Sequence, residues 1–320
     1  MMFNLKNKSI LVTGGAGFVG GHLVEELIKL KSKVIVADIN LDERSYIFTK
    51  KLHRQSPIIK IDICDYKKLL ALIKKYKIEF IFHLAAQALV ENGYDNPKYT
   101  LENNILSTIN VLEAVRVNPQ IKGVVVASSD KAYGDLNKEK YVETDPLSGD
   151  HPYDTSKSAT DLISTTYYKT YKIPVVVTRF GNIYGEGDMN FSRIIPGIMK
   201  SIIQNSELRI RSNGKYVRDY LYVKDVVKGY LLLAQNIDKV KGEAFNFGSD
   251  DALTVLEVIK QVAKVLNKKI NYKILSTAKN EIPYQSLDYS KIKKALGWEP
   301  KENIKSTTEI MLNWYNFFFL

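Results

Sequence analysis

Apolar runs and segments of helical period alternate through the first half of the chain. Six short runs rich in valine and isoleucine predict buried strands: Ser9–Gly14, Lys33–Asp38, Ile58–Asp62, Phe80–Ala85, Gly123–Ser128 and Pro174–Phe180. The segments between them, such as Phe18–Leu30 and Tyr66–Tyr76, carry apolar residues at i, i+3 and i+4 and predict helices. Buried strands that alternate with helices are typical of a doubly wound parallel sheet. We therefore expect an α/β fold.

The regular alternation of strand-like and helix-like segments ends at Phe180. Gly181–Asp188 is rich in glycine and turn formers, and the elements that follow are shorter and of mixed type. Gly242–Ser249 is interpreted as one more strand that could return to the main sheet. We predict a first domain of residues 1–180 plus about 223–249, and a smaller mixed α/β domain of residues 181–222 plus 250–320.

Composition narrows the class of protein. With 320 residues, 36.4 kDa, 45% hydrophobic and 25% charged residues, the chain has the size and composition of a soluble globular protein. A single cysteine, Cys64, excludes an internal disulfide framework. No run approaches the ~20 apolar residues of a membrane span, and the first residues show no signal-peptide pattern. We expect a cytoplasmic protein whose apolar tail, Trp314–Leu320, is a last helix docked on the core, with a partner or membrane contact as the alternative.

The net charge of +11 raises the question of a nucleic-acid partner. The lysines are scattered along the chain in pairs and are not gathered into one basic tract. A dispersed lysine-rich surface is typical of a soluble protein, and it also favours the approach of a polyanionic small substrate. We therefore expect no nucleic-acid partner, no membrane partner and no metal ion.

The segment Thr13–Gly20, TGGAGFVG, follows the first predicted strand and places Gly14, Gly17 and Gly20 three residues apart. Glycines at this turn let backbone amides approach a pyrophosphate, and the N-terminus of the next helix favours the anion. Asp38 ends the second predicted strand. A carboxylate there can accept hydrogen bonds from ribose hydroxyls and repels a 2′-phosphate, so NAD is expected rather than NADP.

Tyr153 and Lys157 stand one helical turn apart in the segment His151–Leu162. A tyrosine acts as a base only when a nearby cation favours its ionised form, and Lys157 is placed to supply that charge and to hold the nicotinamide ribose. This spacing alone is common by chance. A preceding glycine-rich loop and a serine at the end of the fifth strand make the combination specific. His151 is interpreted as a residue that starts the helix rather than as a catalyst.

Together these motifs resemble the extended short-chain dehydrogenase/reductase superfamily. The residues that carry the resemblance are Gly14, Gly17, Gly20, Asp38, His83–Gln87, Ser129, Tyr153 and Lys157, with Arg179–Gly185, Arg218–Asp225 and Ala295–Trp298 matching its sugar-nucleotide members. The resemblance covers essentially the whole chain. It implies a doubly wound parallel Rossmann sheet with a smaller substrate-binding domain, bound NAD, and a homodimer formed through helices around residues 103–116 and 156–172.

The resemblance also implies which residues bind ligands. The predicted cofactor-binding residues are Gly14, Gly17, Phe18, Val19, Gly20, Asp38, Asp62, Ile63, Leu84, Ala85, Ala86, Tyr153 and Lys157. The predicted substrate-binding residues are Gln87 near the sugar, Ser129, and Asn182 and Arg218 at the phosphates or the nucleoside. A loop-capping role is an equal alternative for Asp62. The alternatives for Asn182 and Arg218 are a loop cap and a surface arginine.

The segment SSDKAYG, which follows the fifth predicted strand, separates two activities within the family. By resemblance, Ser129 and Tyr153 hold the C4 oxygen of the sugar, and a 4-epimerase needs only that pair. Asp130 and Lys131 come next, as in CDP-glucose 4,6-dehydratases. The resemblance makes Asp130 the acid at the C6 hydroxyl and Lys131 the base at C5, a role that requires a neutral lysine. Tyr133 is interpreted as structural.

We therefore predict an NAD-dependent 4,6-dehydratase that acts on a nucleotide-diphosphate sugar similar to CDP-glucose. Its predicted catalytic residues are Ser129, Asp130, Lys131, Tyr153 and Lys157. The nearest alternative is a nucleotide-sugar 4-epimerase, and the alternative of another class is a non-catalytic NAD-sensing or nucleic-acid-binding Rossmann protein. A solvated surface turn is the alternative for SSDKAYG. The nucleobase and the exact sugar stay open.

Overall fold

The structure is a computed structural model that describes residues 2–277 and 282–319. Its strands, numbered in chain order, are β1 (Ser9–Thr13), β2 (Lys33–Asp38), β3 (Ile58–Lys60), β4 (Phe80–His83), β5 (Val124–Ala127), β6 (Val175–Phe180), β7 (Asn182–Tyr184), β8 (Leu208–Ile210), β9 (Val217–Tyr222), β10 (Ala244–Phe247), β11 (Ala252–Thr254), β12 (Tyr272–Ile274) and β13 (Tyr284–Gln285). Its α-helices are α1 (Phe18–Lys29), α2 (Tyr46–Thr49), α3 (Tyr66–Tyr76), α4 (Val90–Asp95), α5 (Pro97–Val117), α6 (Pro152–Tyr171), α7 (Ile194–Ile203), α8 (Val223–Gln235), α9 (Ile237–Val240), α10 (Val255–Leu266), α11 (Ser290–Leu296) and α12 (Ile304–Phe319). Leu52–Arg54 and Asp130–Tyr133 form 3-10 helices.

Within the described residues, seven strands form one sheet in the order β10-β6-β5-β4-β1-β2-β3. Strand β1 pairs in parallel with β2 and β4, and β5 pairs in parallel with β4 and β6. Nearly all residues of β1, β4 and β6 are buried, which explains their continuous apolar runs, because helices cover both faces of a doubly wound sheet. The predicted α/β class is confirmed. The strand expected in Gly242–Ser249 joins this sheet as β10 beside β6.

The chain order of the strands reverses at β1, which lies between β2 and β4. The loops after β1 and β4 therefore leave the sheet side by side. Leu84 N donates to Thr13 O at 3.1 Å, and Ala85 N donates to Thr13 Oγ1 at 3.3 Å. In open α/β sheets, ligands bind at the carboxyl ends of the strands where the order reverses. The predicted nucleotide loop and Leu84–Ala86 thus meet at the edge where such a ligand is expected.

Helices α3 and α5 bury one face each in the core of this sheet. Asp65 begins α3 by accepting a hydrogen bond from Lys68 N at 3.1 Å, and Asn96 begins α5 by accepting one from Tyr99 N at 3.2 Å. Their apolar faces contribute Leu69, Leu72, Ile73, Val111, Leu112 and Val115 to one buried cluster. Each such side chain stabilises the fold by about 1.5–3 kcal/mol, so packing holds both helices against the sheet.

The chain divides into two compact units. The first contains Met1–Gly134, Glu143–Arg179 and Val227–Asn246, and the second contains Asp135–Val142, Phe180–Val226 and Phe247–Leu320. The sequence placed residues 135–142 in the first domain, but they lie in the second unit. The reason is that Tyr141 forms a parallel bridge with Leu287 and its amide donates to Ser286 O at 2.9 Å.

The later boundaries also differ by a few residues from those predicted. Residues 223–226 and 247–249, which the sequence assigned to the first domain, lie in the second unit. Asp225 accepts hydrogen bonds from Lys301 N and Glu302 N at 2.9 and 2.8 Å. The ring of Phe247 packs edge-on against Trp298 with 4.8 Å between centroids. These contacts explain why both segments belong with the C-terminal part of the chain.

Strand β9 is the centre of the second unit. It pairs in parallel with β7 and β13 and antiparallel with β11. The predicted terminal helix is present as α12, where Tyr315 is fully buried and donates to Asp188 O at 2.5 Å, whereas Phe317 is 80% exposed. The last residue of the predicted helix, Leu320, lies outside the described residues. Over residues 2–277 and 282–319, no helix has the length and apolarity needed to cross a bilayer.

Candidate active site

The loop between β1 and α1 and the first turn of α1 contain glycines that are packed too closely for side chains. Gly14 has a φ of +70°, and a Cβ atom there would lie 2.7 Å from Ala85 N. A Cβ atom at Gly20 would overlap the carbonyl oxygen of Gly14. At Gly17, the N-cap of α1, a Cβ atom would meet only Gly14 O, at 3.2 Å. Gly14 and Gly20 are therefore needed for packing, whereas Gly17 leaves open space beside the N-terminus of α1.

Asp38 lies at the end of β2 and contacts this loop. Its Oδ2 accepts a hydrogen bond from Ala16 N at 3.0 Å, and its Oδ1 accepts one from Asn40 N at 3.1 Å. Burial raises the pKa of the Asp38 carboxyl, while backbone amides, including those of Asn40 and Ala16, act in the opposite direction. A carboxylate at the end of the second strand can also accept hydrogen bonds from ribose hydroxyls. The arrangement fits the ribose hydroxyls expected of a dinucleotide.

Asp62 lies two residues beyond β3 and does not end that strand, because β3 stops at Lys60. The predicted strand end at Asp62 is therefore wrong. Asp62 Oδ1 accepts a hydrogen bond from Cys64 N at 2.8 Å, so Asp62 caps its own loop. Its neighbour Ile63 is buried in the core cluster beneath the sheet edge, and its carbonyl accepts from Asn110 Nδ2 at 3.0 Å.

His83, the last residue of β4, connects the two central strands to α5. Its Nδ1 lies 2.8 Å from Thr13 Oγ1, and its Nε2 lies 3.3 Å from Thr108 Oγ1. Because Thr108 Oγ1 donates to Asn104 O at 2.8 Å, it can only accept from His83, which assigns the proton to Nε2. Burial, with a smaller effect of the Lys157 charge, lowers the pKa of His83 to about 3. The imidazole is therefore neutral at physiological pH.

Ser129, Asp130 and Lys131 form one hydrogen-bonded cluster directly after β5. Ser129 Oγ donates to Asp130 Oδ1 at 2.9 Å and accepts from Lys131 N at 3.2 Å, as the N-cap of the 3-10 helix. Lys131 Nζ lies 3.1 Å from Asp130 Oδ2 and forms an ion pair with it. The side chain of Asp130 is 5% exposed and that of Lys131 is 17% exposed. A solvated surface turn does not describe this segment.

Helix α6 carries Tyr153 and Lys157. His151 is its N-cap and accepts a hydrogen bond from Tyr153 N at 3.3 Å, which confirms the prediction that His151 starts the helix. Lys157 Nζ donates to Ala127 O, in the last residue of β5, at 2.8 Å. Burial lowers the pKa of Lys157 to about 8. The charged group of α6 therefore lies beside the strand end from which Ser129 follows.

Gln87 is held behind β4 by a buried amide on α5. Its backbone N donates to Asn104 Oδ1 at 2.7 Å, and Asn104 Nδ2 donates to Gln87 O at 3.1 Å and to Ser156 Oγ at 2.9 Å. Gln87 Nε2 donates to Leu89 O at 2.9 Å. Among residues 2–277 and 282–319, the buried Oε1 of Gln87 has no hydrogen-bond partner. A buried acceptor without a partner is uncommon and suggests a ligand donor.

The two remaining predicted substrate residues lie in the second unit. Asn182 is the exposed first residue of β7, where it pairs with Tyr220. Arg218 lies on β9 and is 8% exposed, so it is not a surface arginine. Its Nη1 donates to Val217 O at 2.8 Å.

The structure brings the predicted residues of the first unit to the carboxyl ends of β1 to β5. Sequence reasoning missed the roles of Thr13, Asn104 and Thr108, which connect the loops after β1 and β4 to helix α5. The available signal was a set of polar residues at positions where the helical period of α5 places its buried face. Polar side chains there must find hydrogen-bond partners.

A family model described as GDP-mannose 4,6 dehydratase matches residues 11–311. The chain belongs to this family. It is 30% identical to the CDP-glucose 4,6-dehydratase of Salmonella typhimurium, over 97% of this chain and 91% of that relative. The predicted resemblance to the nucleotide-sugar branch of the extended short-chain dehydrogenase/reductases is thus confirmed.

Solved structures of two activities resemble the whole chain. The dTDP-glucose 4,6-dehydratase of Bacillus anthracis, solved in complex with NAD, superposes with a TM-score of 0.85, 28% identity and 96% coverage of both chains. The UDP-glucose 4-epimerase of Thermotoga maritima, solved with UDP-glucose, superposes with a TM-score of 0.88, 28% identity and coverage of 98% of this chain and 100% of the other. The protein is therefore similar to enzymes of both the dehydratase and the epimerase type.

Proposed function

We propose that the protein is an NAD-dependent nucleotide-sugar 4,6-dehydratase that converts a hexose substrate similar to CDP-glucose into the 4-keto-6-deoxy sugar. The observation that carries the proposal is the hydrogen-bonded cluster of Ser129, Asp130 and Lys131 after β5. Dehydration needs an acid and a base beside the sugar, in addition to the groups that act at C4, whereas epimerisation at C4 does not. An ion pair at this position supplies both.

The residues after β1 and β2 fit NAD. Gly17 leaves the N-terminus of α1 open to a pyrophosphate, and the twelve-residue helix favours an anion there. Asp38, which lies against this loop, would bind the ribose hydroxyls, and its charge disfavours a 2′-phosphate. Phe18, Val19, Ile63 and Leu84–Ala86 remain predicted contacts of this cofactor. Bound NAD would accept a hydride from C4 of the sugar and later return it to C6.

Tyr153 would act at C4 of the sugar. Ser129 Oγ would hold the C4 hydroxyl while Tyr153 removes its proton. The positive charge of Lys157, one turn further along α6, would favour the ionised tyrosine. Lys157 is itself fixed by its hydrogen bond to Ala127 O, so its charge is held beside the end of β5.

Transfer of one proton within the Asp130–Lys131 pair would prepare the elimination. Moving a proton from Lys131 Nζ to Asp130 Oδ2 across their 3.1 Å contact gives a neutral amine and a protonated carboxyl together. The amine would then remove the C5 proton as the C5–C6 double bond forms. The carboxyl would protonate the C6 hydroxyl as its C–O bond breaks and water leaves. After these two transfers the ion pair is restored, and Lys131 would return a proton to C5 when the hydride adds to C6.

The substrate would be a nucleotide-diphosphate sugar. Gln87 Oε1, which has no hydrogen-bond partner among the residues that the structure describes, is an acceptor suited to a sugar hydroxyl. Asn182 and Arg218 are proposed to bind the phosphates or the nucleoside. The basic surface favours such a dianionic ligand. We also propose a cytoplasmic location, which the single cysteine favours, and a homodimer formed through α5 and α6.

A nucleotide-sugar 4-epimerase is the second candidate, because the whole chain also superposes on a UDP-glucose 4-epimerase. The two functions predict different fates of the hydride. A panel of CDP-, UDP-, GDP- and dTDP-hexoses deuterated at C4 separates them by mass spectrometry and NMR. Dehydration moves the deuterium to C6 of a 4-keto sugar, whereas epimerisation leaves it at C4 with inverted configuration. Inversion alone would refute the dehydratase.

Substitution of Lys131 tests the assignment of the base. Lys131→Ala should still oxidise C4, seen as reduced nicotinamide, but should form the 4-keto-6-deoxy product at least ~100-fold more slowly, the lower end for loss of a general base. Lys122→Ala removes an exposed lysine before β5, at the end opposite to the cluster, and should retain full activity. Full turnover by Lys131→Ala would contradict the role given to Lys131.

A further inference from the structure

Tyr133 ends the 3-10 helix that carries Asp130 and Lys131, and it is completely buried. Its hydroxyl donates to Asn246 Oδ1 at 2.7 Å and accepts from Arg179 Nη1 at 2.6 Å. The guanidinium carbon of Arg179 also lies 4.8 Å from the centre of the Tyr133 ring. Burial raises the pKa of Tyr133 to about 12, so its hydroxyl keeps the proton that it donates at neutral pH. These short bonds fix the end of the 3-10 helix.

Arg179 extends this connection to helix α6. Its Nε and Nη2 donate to Oδ2 and Oδ1 of Asp161 at 2.7 and 2.9 Å. Asp161 lies on α6 one turn after Lys157. The side chains of Arg179 and Asp161 are 5% and 2% exposed. A buried two-pronged pair of this kind fixes the orientation of both side chains, because each nitrogen has one matching oxygen.

We infer that Tyr133, Arg179 and Asp161 form a clamp that sets the position of the Asp130–Lys131 pair relative to Tyr153 and Lys157. The inference rests on the proposed dehydratase function. Two elements must then act on one sugar: α6 at C4, and the 3-10 helix at C5 and C6. Misplacement of such groups by ~1 Å can slow a step by ~100-fold. Tyr133 is assigned no contact with substrate and is therefore a positioning residue.

Helix α6 is held at the end of β5 without the clamp. Lys157 Nζ donates to Ala127 O at 2.8 Å, and Ser128 Oγ donates to Lys157 O at 3.2 Å. Removing the Tyr133 hydroxyl leaves both contacts in place. The loss should therefore displace the acid–base pair of the elimination while leaving Tyr153 and Lys157 in position for oxidation at C4. A merely structural tyrosine would not separate the two steps in this way.

Tyr133→Phe tests the clamp in single-turnover reactions with a substrate that the wild type accepts. Reduced nicotinamide should form at close to the wild-type rate, while the 4-keto-6-deoxy product should appear ~10- to 100-fold more slowly. Reduced nicotinamide should therefore accumulate. Tyr315→Phe removes another buried hydroxyl, in the second unit, and should change neither rate. Equal slowing of both steps by Tyr133→Phe, or slowing of neither, would overturn the clamp.

Asp161→Asn provides a second variant that keeps Tyr133 and removes the charge that orients Arg179. It should likewise form reduced nicotinamide at close to the wild-type rate and the 4-keto-6-deoxy product more slowly. This variant tests the clamp if Tyr133→Phe does not fold. The wild-type product tests the proposed function separately. If the wild type only inverts C4, the dehydratase is refuted. The clamp then predicts that Tyr133→Phe inverts C4 at the wild-type rate, and a slowed inversion would overturn the clamp as well.

Discussion

At the scale of the single residue, Lys157 is a lysine whose charged form is disfavoured by burial. Burial lowers its pKa from 10.5 to about 8 in the folded chain. Between these values the unfolded chain binds more protons, so the contribution of Lys157 to stability rises with pH from about 8 to 10.5. Below pH 8 the buried charge costs about 3 kcal/mol. Lys157→Met should therefore gain stability relative to wild type at pH 7, and lose most of that gain near pH 10.5, in urea unfolding.

The exposed Lys264→Met on α10 serves as the control, and its stability difference from wild type should not change between these pH values. A constant difference for Lys157→Met as well would show that Lys157 is not charged and buried in the folded protein. The comparison between variants isolates Lys157 from the other groups that titrate in this range.

Single residues were predictable where steric limits select one amino acid. Gly14 and Gly20 could be recognised from spacing because a Cβ atom at either position meets backbone. The bonds among Ser129, Asp130 and Lys131 could not, because they depend on rotamers that the sequence does not specify. The sequence offered no role for His83 either, because its partners lie 70 and 25 residues away.

At the scale of elements, the segment of β1, its loop and α1 contains one glycine needed for packing, Gly20, and another beside the proposed cofactor site, Gly17. Gly20→Ala should lower the free energy of unfolding by about 2–3 kcal/mol, because its methyl group overlaps backbone that cannot move away. Gly17→Ala should cost only about 1 kcal/mol, the cost of a poorer N-cap. It should weaken NAD binding at least ~10-fold, because the methyl group occupies the space beside the N-terminus of α1. Denaturant unfolding and calorimetric titration with NAD measure the two effects.

If Gly17→Ala binds NAD as tightly as the wild type, the pyrophosphate does not lie against this turn. Comparison of the two variants also distinguishes a local defect in NAD binding from a general loss of stability. A defect in NAD binding with a stability loss of only about 1 kcal/mol can come only from the loop surface, whereas Gly20→Ala reports on the packing beneath it.

The sequence predicted elements well where burial alone determines them. Strands β1 to β6 lie within two residues of their predicted bounds. For β1, β4, β5 and β6 the reason is that a strand buried on both faces needs a continuous apolar run. The strands β7, β8 and β11 to β13 have only two or three residues each. Strands this short show no periodic pattern of apolar residues. Most of them, β7, β11 and β13, form because they pair with β9, which is separate from them in the sequence. Pairing of that kind cannot be read from a local pattern.

At the scale of the whole molecule, apolar side chains on α5 and α6 remain exposed in the single chain. Leu106 and Leu162 are 42% and 55% exposed, and Tyr171 is 53% exposed. The two helices are joined to each other through Tyr167 OH, which donates to Glu113 Oε2 at 3.3 Å. A second copy of the same surface would bury these side chains symmetrically, as in a two-fold dimer. This surface is the basis of the proposed homodimer.

Charges introduced into that surface should separate the proposed dimer. Light scattering should give twice the 36.4 kDa chain mass for the wild type and the single chain mass for Leu106→Glu/Leu162→Glu, because each new carboxylate would be desolvated at the interface. Phe317→Glu changes an exposed aromatic residue on α12 and should leave the mass at that of the dimer. A wild-type mass of one chain would refute the homodimer. A double variant that keeps the dimer mass would instead place the interface away from α5 and α6.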